Sequence, residues 1–277
     1  MATEEPHVKV EKLVKVYGDR TVLHGVDVTI DRADTLVFIG GSGAGKSTLV
    51  RHLIALERPT SGRIVVDGVD IASLNDVELN KARRRFGMVF QKYALFDSMT
   101  NFDNVAFPLR EQTKLSERDI RERAMAKLKD LGVEHAAKLT PAQISGGMAK
   151  RVGIARALVM EPELLIYDEP TSGLDPVTSR TVDDLIEEMR EKFGVTSVVI
   201  THDMVSAFDI ADQIAMLIRG RVVAQGTPAE VLAVDNEDVQ KFIRASGVEA
   251  SRLATRRPRK DSRALAAVAR ARAPRGG

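Results

Sequence analysis

Between an apolar run, Thr35-Leu-Val-Phe-Ile39, and the amphipathic stretch from Thr48 to Ile54 lies Gly40-Gly41-Ser42-Gly43-Ala44-Gly45-Lys46-Ser47. It fits G-x-x-x-x-G-K-[ST], and the flanks read as the buried strand and following helix that this motif requires. The glycines let the backbone wrap closely enough for successive N–H groups to face phosphate oxygens, and the helix start adds positive potential. Lys46 supplies a point charge to the same oxygens, and the Ser47 hydroxyl suits Mg²⁺, which prefers oxygen ligands. The nucleotide-binding candidates are therefore Gly40, Gly41, Ser42, Gly43, Ala44, Gly45, Lys46, Ser47 and Thr48.

A second stretch supplies what a phosphate loop lacks. Residues 144 to 176 read ISGGMAKRVGIARALVMEPELLIYDEPTSGLDP. A Ser-Gly-Gly turn opens a helix, the strand Leu164-Leu-Ile-Tyr167 ends in Asp168-Glu169, and a Gly-Leu-Asp-Pro turn follows. Carboxylates at a strand end emerge where open α/β sheets place ligands. Asp168 is the candidate magnesium partner, and Glu169 the candidate that orients or deprotonates the attacking water. The combination points to nucleotide hydrolysis.

These residues resemble the ATP-binding cassette ATPases, with the motifs in that family's order over about residues 7 to 247. Residues 40 to 48 look like Walker A, and Leu164 to Glu169 like Walker B with its catalytic glutamate. Gln91, after Phe86-Gly-Met-Val-Phe90, matches the Q-loop glutamine that senses metal and water. His202, after Ser197-Val-Val-Ile-Thr201, matches the switch histidine; taken alone, it is equally a polar residue satisfied at a strand end. Ser172-Gly-Leu-Asp175 matches the D-loop, with Asp175 its acidic member. Ser145, Gly146 and Gly147 match the signature motif, although Ile144 and Met148 replace the common leucine and glutamine. Tyr17 stands where the family stacks an aromatic ring on adenine, and in a turn between strands it could as well cover the sheet edge.

The resemblance implies an α/β fold: a P-loop core with a mainly parallel sheet, an antiparallel β subdomain and a helical insertion. The strands ending at Ile39, Phe90, Tyr167, Thr201 and Leu217 are apolar throughout, as in a sheet covered on both faces. Val8–Val16 and Val22–Ile30 alternate as antiparallel strands do, and Arg63–Val66 adds another. Residues 1–247 form the ATPase domain, with the helical insertion at about 92–160. Within it Ser116-Glu-Arg-Asp119 starts a helix whose apolar face carries Ile120, Ala124, Leu128 and Leu131. Asp175-Pro176 opens another, with Val182, Leu185, Ile186, Met189 and Phe193 on one stripe.

With 44% hydrophobic and 29% charged residues the chain can bury a sizeable core. It has no run near the ~18 apolar residues of a membrane span, no signal-peptide pattern at its start, and no cysteine for disulfides or thiol ligands. From Ser251 onward nine Arg or Lys stand against one Asp, so residues 248–277 read as a basic tail. The expectation is an unfolded, solvated tail; its charge also suits anionic lipid headgroups or a partner subunit.

By resemblance, the cofactors are ATP and Mg²⁺. The signature motif of one subunit faces the phosphate loop of a second copy, giving a head-to-tail dimer around two ATP. The partners are integral-membrane permease subunits and a lipid-binding channel subunit, with no nucleic acid. Leu95, Phe96, Met99 and Phe102 could line a groove for a permease's coupling helix or pack within the insertion. Phe90 through Thr100, Asn104-Val-Ala-Phe-Pro-Leu-Arg110, Ser145-Gly-Gly-Met-x-Lys-Arg-Val152, Tyr167-Asp-Glu-Pro170 and Thr201-His-Asp-Met204 resemble the ATPases of bacterial mammalian-cell-entry and lipid-asymmetry transporters. That implies phospholipid movement between inner and outer membranes, with the protein peripheral on the cytoplasmic face of the inner membrane. The alternatives are an ATPase of a small-solute importer, such as one for amino acids, and a soluble cassette protein acting on nucleic acid or ribosomes.

Overall fold

The computed structural model describes residues 6–91, 93–247 and Leu265. Two compact units emerge, Met1–Arg83 with Ile166–Gly277, and Arg84–Leu165.

The first unit holds two sheets. In one, β1 (Val8–Tyr17) pairs antiparallel with β2 (Arg20–Ile30) and with β4 (Ser61–Val66), and β5 (Val69–Asp70) adds the far edge. Val8, Val10 and Leu13 of β1 turn to the core with Val26, Val28 and Ile30 of β2, so the alternation seen in the sequence is the pleat of a one-sided sheet. In the other sheet β3 (Thr35–Ile39) is central, parallel to both β8 (Thr196–Ile200) and β9 (Gln213–Ile218). Every residue of β3 and β8 is buried, which explains why these strands are apolar without alternation. β7 (Leu164–Asp168) lies beside β8, and β10 (Arg221–Gly226) closes the other edge antiparallel to β9. That last hairpin goes unread in the sequence, because Arg221 and Gln225 break the apolar pattern of a half-exposed edge strand.

Four helices of this unit matter for the site. α1 (Lys46–Leu53) leaves the phosphate loop, and α2 (Asp76–Arg83) closes the unit's first segment. α6 (Pro176–Phe193) starts on Asp175, whose carboxylate accepts from the Val177 and Thr178 amides, and ends on Gly194 in the left-handed region. Val182, Leu185, Ile186 and Met189 form its buried stripe, as the spacing predicts, whereas Phe193, at the helix end, is half-buried. α7 (Met204–Ile210) is capped by Asp203.

The second unit contains β6 (Phe86–Val89), α3 (Asn101–Gln112), α4 (Glu117–Asp130) and α5 (Gly146–Leu158), with the three helices packed pairwise. Ser116 caps α4 by accepting from the Asp119 amide, while Ser116 Oγ and the Asp119 carboxylate sit 2.6 Å apart. Two further helices, α8 (Pro228–Ala233) and α9 (Glu237–Ser246), follow β10 in the first unit. The basic tail anticipated at 248–277 lies outside the described residues except for Leu265, which is buried with Ala33.

Arg190 of α6 is fully buried. Its Nε donates to the Ala33 carbonyl at 2.6 Å, and its guanidinium pairs with Glu187 at 3.0 Å and Asp212 at 3.4 Å. Asp212 also accepts from the Thr35 amide at 2.8 Å, so one cation ties α6 to the start of β3 and of β9. Removing a single partner from such a cluster leaves desolvated acceptors unmatched. Arg190→Met is expected to lose about 3 kcal/mol of stability in urea unfolding; a loss under about 1 kcal/mol would assign the cluster a minor role.

Candidate active site

The phosphate loop is shaped by what presses on it. Gly40 has φ 147°, and a Cβ there would overlap the Leu217 carbonyl of β9. Gly45 has φ 104°, and a Cβ would lie 2.9 Å from Leu23 Cδ2. Glycine is required at both by backbone conformation and by close approach. Gly220 fastens the loop from outside, donating its N–H to the Ala44 carbonyl at 2.9 Å while its own carbonyl accepts from the His24 amide at 2.9 Å.

Lys46 Nζ folds back over the loop, donating to the carbonyls of Gly40 at 2.6 Å and Gly41 at 3.2 Å. Burial lowers its pKa, opposed by the charges of Glu169 and Asp168. Asp168 shows the converse: burial and then the neighbouring Glu169 raise its pKa, and Lys46 opposes them. A half-buried carboxyl that lacks enough positive charge nearby fits a cation. Its carboxylate and the Ser47 hydroxyl each offer an oxygen donor of the kind Mg²⁺ takes.

Glu169 sits in the left-handed region at φ 49°, a strained conformation for glutamate. Its amide donates to the Ile200 carbonyl at 2.9 Å, which fastens the end of β7 to β8. Its Oε2 receives the His202 ring at Nδ1, 2.8 Å away, and the His202 amide at 3.3 Å. Glu169 Oε1 carries no hydrogen bond among the described residues, so it is available to a water molecule.

Phosphate loop, glutamate and histidine line one cavity of about 620 Å³, bounded by Ser42 through Thr48, Glu169, His202, Arg20 and Val22. Arg20 and Val22 escaped the sequence reading. Arg20 opens β2 just after the turn that follows Tyr17, and only the fold, which brings the start of β2 close to Gly45, reveals that it stands at the cavity wall.

Tyr17 ends β1 and is 42% exposed. Its hydroxyl donates to the Glu57 carboxylate, and Lys15 Nζ lies 4.9 Å from its ring centroid. It lies outside the cavity lining. Asp175 is exposed, and its carboxylate is engaged in capping α6 at 3.0 Å from both the Val177 and Thr178 amides.

The remaining candidates belong to the second unit. Gln91 is exposed in the turn after β6, where Tyr93 donates its amide to the Phe90 carbonyl at 2.8 Å. Ser145 caps α5, its hydroxyl accepting from the Met148 amide at 3.3 Å, in place of the glutamine common in the signature motif. Gly146 and Gly147 are exposed, and a Cβ added to either would meet nothing within 4 Å. Among the described residues, no steric reason exists for glycine at these two positions.

Residues 23–172 match the family described as ABC transporter. The methionine import ATP-binding protein MetN of Haemophilus influenzae (strain 86-028NP) is 40% identical over 244 residues, covering 86% of this chain and 70% of MetN. The intermembrane phospholipid transport system ATP-binding protein MlaF of Haemophilus influenzae (strain Rd) is 37% identical over 237 residues, covering 86% of this chain and 90% of MlaF. Among solved structures, the dimeric post-hydrolysis state of the ATP-binding cassette MJ0796 bound to ADP and Pi aligns with TM-score 0.70 and 34% identity, covering 79% of this chain and 98% of that one. A phosphate loop closed by glycines, a glutamate and histidine meeting over it, and these matches lead to one conclusion: the chain belongs to the ABC transporter family as an ATP-binding subunit with the ABC-type ATPase fold and activity.

Proposed function

We propose that this ATPase drives a lipid transporter, working as a head-to-tail dimer that encloses two ATP and pulls on a separate membrane permease. The single observation that carries the hydrolytic half is the 2.8 Å contact between His202 and Glu169 on the wall of the phosphate-loop cavity. Glu169 acts on the attacking water through its unengaged oxygen, and His202 orients that carboxylate and meets the γ-phosphate. Loop amides from 40 to 48 and Lys46 hold the phosphates, with Arg20 adding a second cation at the rim. Ser47 and Asp168 would hold Mg²⁺, which when bound would offset charge on the phosphate oxygens; Gln91 is the Q-loop glutamine that the resemblance implies. Tyr17 serves adenine and Asp175 the D-loop contact.

The dimer half of the proposal is supported by the open space around Gly146 and Gly147. Glycines that the chain's own packing does not need, at an exposed helix start capped by Ser145, suit close approach by a phosphate from outside. ATP bound more tightly by the closed dimer than by the open one supplies the free energy that a partner can use. For the permease contact, Phe96 is 42% exposed and its ring lies 5.0 Å from that of Phe107, in a loop pinned by buried Asn104 at 2.8 Å from the Phe96 amide. Leu95, Met99 and Phe102 are half-exposed, an apolar set able to receive a helix.

The lipid substrate and the inner-membrane location rest on the motif resemblance and on likeness to MlaF. A second reading, an amino-acid importer, is favoured by the 40% identity to MetN. Purifying the chain from its native membrane separates them: a lipid-type permease and channel protein as companions support the first, and a solute-importer permease with methionine-dependent ATPase activity supports the second. Copurification with ribosomes or nucleic acid would contradict both.

Two variants test the site. Glu169→Gln is expected to lower kcat by ~100-fold or more while ATP affinity changes by at most a few-fold; a kcat within about threefold of the parent removes Glu169 from the chemistry. Gly147→Ala is expected to raise or preserve the melting temperature, because alanine is favoured by about 0.5–1 kcal/mol over glycine in a helix. ATPase activity should nevertheless drop by ~10-fold. Unchanged activity would show that the open space there is idle.

A further inference from the structure

One buried acid near the site has no part in the scheme above. Asp183, in the middle of α6, is 5% exposed, and it faces Ser206 of α7, which is 2% exposed. Ser206 Oγ lies 2.8 Å from Asp183 Oδ2 and 3.2 Å from Asp203 Oδ2. A hydroxyl has one proton to give. With both acids ionised, one of those contacts sets an oxygen lone pair against a carboxylate. With Asp183 protonated, its O–H donates to Ser206 Oγ, the Ser206 hydroxyl donates to Asp203, and every contact is matched.

The surroundings favour the protonated form. Asp183 Oδ1 is buried without a hydrogen-bond partner among the described residues, so a charge on this carboxyl would be poorly solvated. Asp203 and Asp209 face it from α7 and its cap, while Arg180 on its own helix is already paired with Asp209 and, at 3.9 Å, with Asp184. Burial first, with Asp203 and Asp209 adding to it against the Ser206 hydrogen bond and Arg180, pushes the Asp183 carboxyl up to about 7.

The far end of this relay is the turn that carries His202. Asp203 Oδ1 accepts from the amides of Val205 at 2.9 Å and Ser206 at 3.2 Å, and the Asp203 amide donates to Thr201 Oγ1 at 2.9 Å. These bonds fix the residue next to His202, whose ring meets Glu169 at 2.8 Å. We propose that Asp183 in its protonated form is a positioning residue for ATP hydrolysis: through Ser206 it holds Asp203, and so the turn that sets His202 against Glu169. The inference rests on Glu169 and His202 being the hydrolytic pair. Losing the proton places a second negative charge beside Asp203, breaks the donor sequence and loosens the turn, so the rate falls as pH rises while ATP binding, which uses the phosphate loop, is spared.

The test is the pH dependence of kcat and KM of the full chain with MgATP, for the parent, Asp183→Asn, Ser206→Ala and His202→Ala. In the parent, kcat is expected to fall ~3-fold or more between about pH 6 and pH 8 with little change in KM. Asparagine keeps a neutral donor toward Ser206, so Asp183→Asn should lack that fall. Ser206→Ala cuts the relay without touching either acid and should lower kcat at low pH, abolishing the same limb. Should Asp183→Asn fail to fold, Ser206→Ala decides alone. If Asp183→Asn or Ser206→Ala retains the parent's limb, or if the change appears only in KM or thermal stability, the inference is overturned. If instead His202→Ala leaves kcat unchanged, the hydrolytic pair itself is wrong; a dead His202→Ala beside a parent-like Asp183→Asn limits the failure to Asp183.

Discussion

The site depends on how tightly the backbone of the phosphate loop is held by the strands around it. Gly220, in the turn between β9 and β10, bonds the Ala44 carbonyl on one side and the His24 amide on the other, each at 2.9 Å. Leu217 of β9 presses on Gly40, and Leu23 of β2 on Gly45. Loop, parallel sheet and antiparallel sheet of the first unit are thus locked at points where only glycine fits. A loop held this way presents its amides in a fixed direction, and preorganised donors stabilise phosphate charge without reorganising when it arrives.

The charges inside that frame are mutually dependent. Lys46 is made less basic by burial and Asp168 less acidic, and each moderates the other's shift. Lys46 donates to the carbonyls of Gly40 and Gly41. On the proposed reading, ATP takes the lysine over from those carbonyls, and its Mg²⁺ would stand against the Asp168 carboxylate. Glu169, strained at φ 49° and fastened to β8, is kept where its second oxygen can act. Strain at such a residue persists because the surrounding hydrogen bonds over-determine it.

Much of this was legible in the sequence, for identifiable reasons. Strands β3 and β8 are buried on both faces, so their composition alone marks them, and Asp175 and Ser116 open α6 and α4 with ordinary capping chemistry. The phosphate loop announces itself because two of its glycines, Gly40 and Gly45, answer to steric demands that no other residue meets. Arg20 and Val22 were invisible, since the fold brings them to the cavity with no motif of their own. The β10 hairpin was hidden by polar residues of an edge strand, and Asp183 by looking like any acid on a helix. Its character comes from Ser206, which is 23 positions away in sequence.

In the proposed dimer each ATP is held between the phosphate loop of one chain and Ser145 and Gly147 of another. Sedimentation equilibrium of Glu169→Gln with ATP and Mg²⁺ tests it most directly, because slow hydrolysis leaves the closed state populated. The expected result is a species of twice the monomer mass that binds one ATP per chain and dissociates when ATP is exchanged for ADP. A monomer at every concentration with saturating ATP would contradict it.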